Sequence, residues 1–233
     1  MKNEGEEGRG AVALVSGGLD STVAAALSLE RFRIERGLFF DYGQRAAREE
    51  FRSAGLVARR FGMRLERIEL PWMERFSRST LIGRSGEPPG AGTAAPHGPS
   101  SLPAVWVENR NGVFVAVAAS IAASTGCGTV IAGFNAEEAV DFPDNGEPYL
   151  EAVNRALAIG TSTHVEVVSP TIRMSKSEIV REGLRLGIPW GDLWSCYRSG
   201  ELMCGACESC LRLMRAVEGT EASKLVRFER KKA

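Results

Sequence analysis

Ser16-Gly17-Gly18-Leu19-Asp20-Ser21-Thr22 is the stretch of this chain best equipped for chemistry. Adjacent glycines let backbone N–H groups close on an anion, and a helix beginning there adds unsatisfied donors and the positive end of its dipole. Ser16, Ser21 and Thr22 supply hydroxyls, while Asp20 is placed either to hold Mg²⁺ or to cap the helix. The segment lacks the lysine of G-x-x-x-x-G-K-[ST], so it is not a Walker-type phosphate loop. A plain capped strand-to-helix turn is the alternative reading.

A second cluster lies near the C-terminus. Cys196, Cys204, Cys207 and Cys210, four of the chain's five cysteines, follow the spacing C-x7-C-x2-C-x2-C. One tetrahedral ion can take four thiolates at such spacing, and structural zinc is the favoured occupant. Disulfides fit a reducing compartment poorly. An iron–sulfur cluster is the other alternative, since three of these cysteines match part of a ferredoxin run, but the fourth lies upstream and no Cys-Pro follows. Cys127 stands alone and reads as a packed core thiol.

Alternating strands and helices must position these groups. Ala11–Val15 reads as a strand, Ser21–Arg36 as a helix ended by Gly37, and Leu38-Phe39-Phe40 as a short buried strand. Ala47, Phe51, Ala54, Ala58 and Phe61 share one face of a helix over Arg45–Phe61, stopped by Gly62. A strand over Met63–Leu70, a buried helix over Asn111–Ser124 and a strand over Gly128–Phe134 follow. An amphipathic helix over Glu147–Ile159, a strand over His164–Val168 and a helix ending at Gly187 complete the series. The last helix opens on the capping box Ser175–Glu178.

The pattern predicts an α/β fold, a doubly wound parallel sheet with ligands beyond the carboxyl ends of its strands. Residues 1–9 read as a flexible tail, 10–189 as the α/β domain, and 190–233 as a small cysteine module with a helix and a charged end. Gly83–Ala104 is rich in Gly, Pro, Ala and Ser without periodicity, the signature of a lid or mobile loop.

Composition narrows the partners. The 29 basic and 29 acidic side chains cancel, which weighs against nucleic acid as the main ligand. No run of about 18 apolar residues is present to span a membrane. The acidic, Gly-rich N-terminus fits neither a signal nor a transit peptide, so a cytoplasmic location is expected.

S-G-G-x-D-S resembles the pyrophosphate loop of the ATP-pyrophosphatase superfamily. Together with Asp41-Tyr42-Gly43-Gln44-Arg45, Arg110-Asn111, Phe142-Pro143-Asp144, Lys176, Glu178 and Ser195-Cys196-Tyr197 ahead of the remaining cysteines, it resembles the 7-cyano-7-deazaguanine synthase (QueC) family over roughly residues 10–220. The resemblance implies a Rossmann-like fold of the adenine nucleotide alpha hydrolase type with a C-terminal four-cysteine zinc module. It implies a ligase of queuosine biosynthesis that converts 7-carboxy-7-deazaguanine and ammonia to the nitrile, using ATP, Mg²⁺ and structural Zn²⁺. A homodimer is implied as well.

By the same resemblance, Ser16, Gly17, Gly18, Leu19, Asp20, Ser21 and Thr22 cradle the pyrophosphate, with Asp41 and Tyr42 beside the nucleotide. Asp20, Lys176 and Arg110 are the candidate catalytic groups. Asn111, Phe142 and Asp144 are the candidate substrate contacts, and Cys196, Cys204, Cys207 and Cys210 the metal ligands. Lys176 as a solvated first-turn lysine, Arg110-Asn111 as helix caps and Phe142-Asp144 as a turn are the plain alternatives.

Three segments depart from the family pattern. Val107-Glu108-Asn109-Arg110-Asn111 replaces V-P-G-R-N, which predicts an altered turn; Ala46 replaces a histidine; and residues 135–139 differ. A divergent ligase on a related carboxylate, a tRNA thiolase or a non-enzymatic zinc regulator are the competing functions. The thiolase would need a reactive cysteine and a basic face, and the regulator would leave the loop unexplained.

Overall fold

The computed structural model describes residues 10–82, 86–88 and 104–229. The 1–9 tail, most of the segment 83–104 and the last residues of the charged end lie outside them. The elements in order are β1 (Gly10–Leu14), α1 (Leu19–Ser28), β2 (Arg33–Asp41), α2 (Ala47–Phe61), β3 (Arg64–Glu69), α3 (Pro71–Phe76) and α4 (Arg110–Ser124). They continue with β4 (Thr129–Ile131), α5 (Glu147–Gly160), β5 (Glu166–Val168), α6 (Lys176–Leu186) and α7 (Glu208–Val217).

All the strands are parallel, in the order β3-β2-β1-β4-β5. Alternate residues of β1 face opposite cores. Ala11 and Ala13 pack with residues of α1, α2, α6 and α7, whereas Val12 packs with residues of α3 and α4. α5 offers the second core only partly buried side chains, among them Leu150, Val153 and Leu157. Helices therefore cover both faces, as the doubly wound reading requires. Chain order reverses between β1 and β4, which opens a crevice at their carboxyl ends.

The first helix is shorter than the sequence reading, ending at Ser28 rather than Arg36. Residues 33–36 belong to β2 instead, because that strand is paired on both sides, with Arg33 opposite Gly10 and Arg36 opposite Arg64. Their charges are satisfied in strand geometry: Arg33 pairs with Glu35 on the same face at 2.7 Å, and Arg36 pairs with Glu66 across the ladder. β4 and β5 are likewise shorter than expected. His164 sits before β5 with a φ of 50°, and β4 pairs only over Thr129–Ile131. α3 had no periodic signal to announce it.

α2 and α6 stop at Gly62 and Gly187 as read from the sequence. The capping box is present, with Ser175 Oγ accepting from Glu178 N and the Glu178 carboxylate accepting from Ser175 N at 2.8 Å. Cys127 is fully buried, as its isolation implied. The C-terminal segment joins the first core: Cys196, Met203, Cys207, Cys210 and Leu213 share one apolar cluster with Val23, Ala54 and Ile179.

Candidate active site and metal centre

The turn after β1 is shaped by close packing. Gly17 has a φ of +79°, and a Cβ there would lie 2.7 Å from both Ala54 N and Ser53 Cβ of α2. Glycine alone combines that conformation with that approach. Ser53 Oγ donates to Gly17 O at 2.8 Å, and Trp194 N donates to the same oxygen at 3.0 Å. Within the loop, the Ser16 and Ser21 hydroxyls meet at 3.0 Å, and Gly18 N donates to Ser16 Oγ at 3.3 Å. Thr22 is wholly buried and donates to Gly18 O at 2.7 Å. Gly17 and Thr22 thus hold the loop's shape, while Ser16, Gly18, Leu19, Asp20 and Ser21 face a cavity of about 280 Å³.

Asp20 does not cap α1, which has no side-chain cap bond. Its Oδ2 accepts from Lys176 Nζ at 2.6 Å. Lys176 also donates to Glu138 Oε1 at 2.9 Å, and its backbone N donates to Glu137 at 3.0 Å. Lys176 is buried rather than solvated. Burial works against its charge, but the two carboxylates outweigh burial and raise its pKa. Burial raises Asp20 to about 6, with Lys176 pulling it down and Glu138 pushing it up. Asp20 Oδ1 is buried with no hydrogen-bond partner. An unsatisfied carboxylate oxygen beside a phosphate-type loop fits an Mg²⁺ ion.

The wall across from the loop comes from β2, α4 and the turns after β4. Arg110 donates to Tyr42 Oη at 3.3 Å, with its guanidinium 5.9 Å from that ring's centre. No described carboxylate lies within ion-pair distance of Arg110, yet it lines the cavity as a cation: burial works against its charge, and Tyr42 with the Asp144 and Glu138 carboxylates outweighs burial and raises its pKa. Asn111 Nδ2 donates to Asp144 O at 3.3 Å. Neither residue caps α4; Asn109 does so in a left-handed conformation, φ 50°. Asparagine tolerates that geometry at the position where the family pattern has glycine.

Phe142 lines the cavity and stacks on Trp106, centroids 6.0 Å apart and planes 4° from parallel. Asp41 and Asp144 do not face the cavity. Asp41 accepts from Gly43 N at 3.1 Å and pairs with Arg67, and the Asp144 carboxylate accepts from Asn145 Nδ2 at 3.3 Å. The sequence reading missed Glu138, Glu50, Tyr197 and Arg212, all of which line the cavity. Charge and aromaticity alone gave them no distinguishing mark.

Cys196, Cys204, Cys207 and Cys210 place their Sγ atoms within 4.8 Å of one another. The Cys196–Cys207 and Cys204–Cys210 pairs are 3.9 Å apart. Tetrahedral zinc at about 2.3 Å from each sulfur requires S···S near 3.8 Å. Backbone donors support thiolates there: Arg198 N and Cys204 N reach Cys196 Sγ, and Ala206 N and Cys207 N reach Cys204 Sγ, all at 3.3–3.4 Å. An ion held there would have all four positions filled by protein, as in structural zinc sites.

Fold and site together define a parallel α/β nucleotide-binding enzyme. Its anion loop lies at the strand-order switch, and a four-thiolate centre stands beside it. The chain belongs to the family described as queuosine biosynthesis protein QueC, whose model matches residues 10–221. It is 45% identical over 211 residues to a 7-cyano-7-deazaguanine synthase of Carboxydothermus hydrogenoformans, covering 90% of this chain and 98% of the relative. Another protein of that name, from Methanosarcina mazei, is 41% identical, covering 88% of this chain and 92% of the relative. Among solved structures, a 4-thiouridine synthetase–RNA complex with bound ATP gives a TM-score of 0.49 at 23% identity, covering 77% of this chain and 41% of the other.

Proposed function

We propose that this chain is an ATP-dependent ligase that converts 7-carboxy-7-deazaguanine and ammonia into 7-cyano-7-deazaguanine. The observation that carries the reading is the Lys176 bridge between Asp20 and Glu138 at the mouth of the Ser16–Ser21 loop, in a chain of the QueC family.

A carboxylate is a poor electrophile, and AMP is a good leaving group, so adenylation prepares the acceptor for ammonia. The resulting amide still holds one oxygen, and a second ATP activates that oxygen before the nitrile forms. The chain's task is chiefly electrostatic. Loop N–H groups and the Ser16 and Ser21 hydroxyls hold the pyrophosphate. Lys176 holds positive charge beside the reacting phosphate, and Asp20 with its free Oδ1 is the ligand for Mg²⁺, which neutralises phosphate charge when bound. Arg110, which lines the cavity and makes no direct ion pair with a described carboxylate, binds the acceptor carboxylate. Phe142, backed by Trp106, offers a face for the planar deazaguanine, and Asn111 steadies the turn bearing it.

The four cysteines hold zinc in a C-terminal module, which we place with the rest of the chain in the reducing cytoplasm as a homodimer. One assay tests the reaction: purified protein with ATP, ammonium and 7-carboxy-7-deazaguanine, scored for nitrile, AMP and pyrophosphate. Turnover of a different carboxylate in place of this one would overturn the substrate. Replacing Asp20 by Ala should abolish AMP release.

A further inference from the structure

Turning ammonia into a nitrile nitrogen strips every proton from one atom, so a proton acceptor must face that atom. Three described carboxylates line the cavity: Asp20, Glu138 and Glu50. The first two are held by Lys176. Glu50, in the first turn of α2, has no cation within ion-pair distance among the described residues. Its Oε2 accepts from Gln44 Nε2 at 3.0 Å, and among the described residues no donor reaches its Oε1.

Gln44 is not free to turn away. Its Nε2 also donates to Phe40 O at 3.0 Å, and its Oε1 accepts from Tyr42 N at 2.9 Å. The Glu50 carboxylate is therefore fixed by one oxygen, leaving the other for chemistry. Ala46, one turn earlier, also lines the cavity and ends at its methyl group. The backbone O of Glu50 lies 2.8 Å from the place a Cβ on Gly17 would occupy, which sets the first turn of α2 directly against the anion loop.

We propose that Glu50 is the proton acceptor for the nitrogen nucleophile, an inference that rests on the functional reading above. As the C–N bond forms to the activated carboxyl carbon, Glu50 Oε1 takes one proton from nitrogen. The C–O bond to AMP breaks, its electron pair leaves on AMP, and the proton passes from Glu50 to water. The same oxygen serves the second round, when the adenylated amide loses its remaining N–H protons and AMP.

The surroundings suit that task. Burial raises the Glu50 carboxyl to about 7; Gln44 and the Arg110 guanidinium of α4 oppose the rise, and Asp41 of β2 and Glu49 of α2 add to it. A base of that strength is matched to neutral pH.

The test compares wild type with Glu50→Gln, which keeps the shape of the side chain. Exchange of pyrophosphate into ATP, dependent on 7-carboxy-7-deazaguanine, reads adenylation alone. Amide and nitrile formation from ammonium reads the nitrogen step. In E50Q, exchange should stay within about twofold of wild type, while amide and nitrile formation fall about 100-fold or more. The acidic limb of the pH–rate profile near pH 7 should vanish, and hydroxylamine, a less basic nucleophile, should narrow the gap. Wild-type nitrile formation and pH profile in E50Q overturn the proposal. So does loss of exchange along with nitrile, since Glu50 would then shape the nucleotide side. No exchange in wild type defeats the substrate reading, and this inference with it.

Discussion

The carbonyl of Gly17 accepts a hydrogen bond from the backbone N of Trp194 at 3.0 Å, tying the anion loop to the segment that leads into the cysteine cluster. The Trp194 indole in turn donates to Cys196 O at 3.0 Å. Tyr197 and Arg212, flanking the same cysteines, face the cavity. The four-cysteine cluster therefore braces one wall of the cavity.

Metal removal should accordingly disable ATP binding as well as lower stability. Zinc near one equivalent per chain is expected, and Cys207→Ser or chelation should lower the thermal midpoint by about 10 °C, roughly 3 kcal/mol at this chain size. ATP affinity, read by calorimetry, should fall by about 10- to 100-fold, as when the support of a site is lost. A metal-free protein binding ATP with undiminished affinity would break the link between loop and cluster.

Lys176 is surrounded by acid, and its loss should be costly. Replacement by methionine leaves the half-buried Asp20 and Glu138 carboxylates without the buried Lys176 cation between them. Breaking a buried ion pair from one side costs about 3–5 kcal/mol. Urea unfolding should show that loss for Lys176→Met, and part of it should return in the double variant with Asp20→Asn. Adenylation should be absent from both. A single variant as stable as wild type would mean water already screens the bridge.

Much of this site was legible in the chain, and what was not has a common cause. The loop, the capping box and the cysteine cluster are local: each is built by neighbours in sequence, so types and spacing reveal them. The Lys176–Asp20 bridge joins residues far apart in the chain, brought together only when α6 packs on α1. Residues 33–36 misled for a related reason. Their charges favour neither state strongly, and pairing with β1, joined by β3 from Arg36 onward, made them strand. Asn109 is left-handed although it is not glycine, a conformation its residue type permits but does not announce.

Asp20 sets a pH dependence whose sign differs between folding and activity. Its carboxyl is raised to about 6 in the folded chain from an ordinary 3.8, so the folded state holds the proton more tightly. Between those values, the folded form binds more protons than the unfolded, and this group's contribution to stability falls as pH rises. Activity runs the other way, since phosphate chemistry needs the ionised form. Pyrophosphate exchange should therefore decline below pH 6 while Asp20 favours the folded state there. Flat exchange from about pH 5 to about pH 7, roughly one unit either side of the Asp20 midpoint and with the fold intact throughout, would remove Asp20 from the reacting groups.

Gly133 offers the sharpest test of how β4 meets the loop. A Cβ at this position would lie 2.6 Å from Ser21 N and 2.7 Å from Ser21 Cα. Those are backbone atoms of the first turn of α1, so no side-chain rotation can make room. The strand end and the helix start approach so closely that Gly133→Ala must push the loop out of place. Overpacking of this kind costs about 1–3 kcal/mol. ATP affinity should weaken beyond what that stability loss explains, because the displaced turn carries the loop's anion donors and Asp20. Calorimetric titration of G133A with ATP, at a temperature where the variant is fully folded, separates the two effects. Affinity equal to wild type would show that α1 can shift without disturbing the loop.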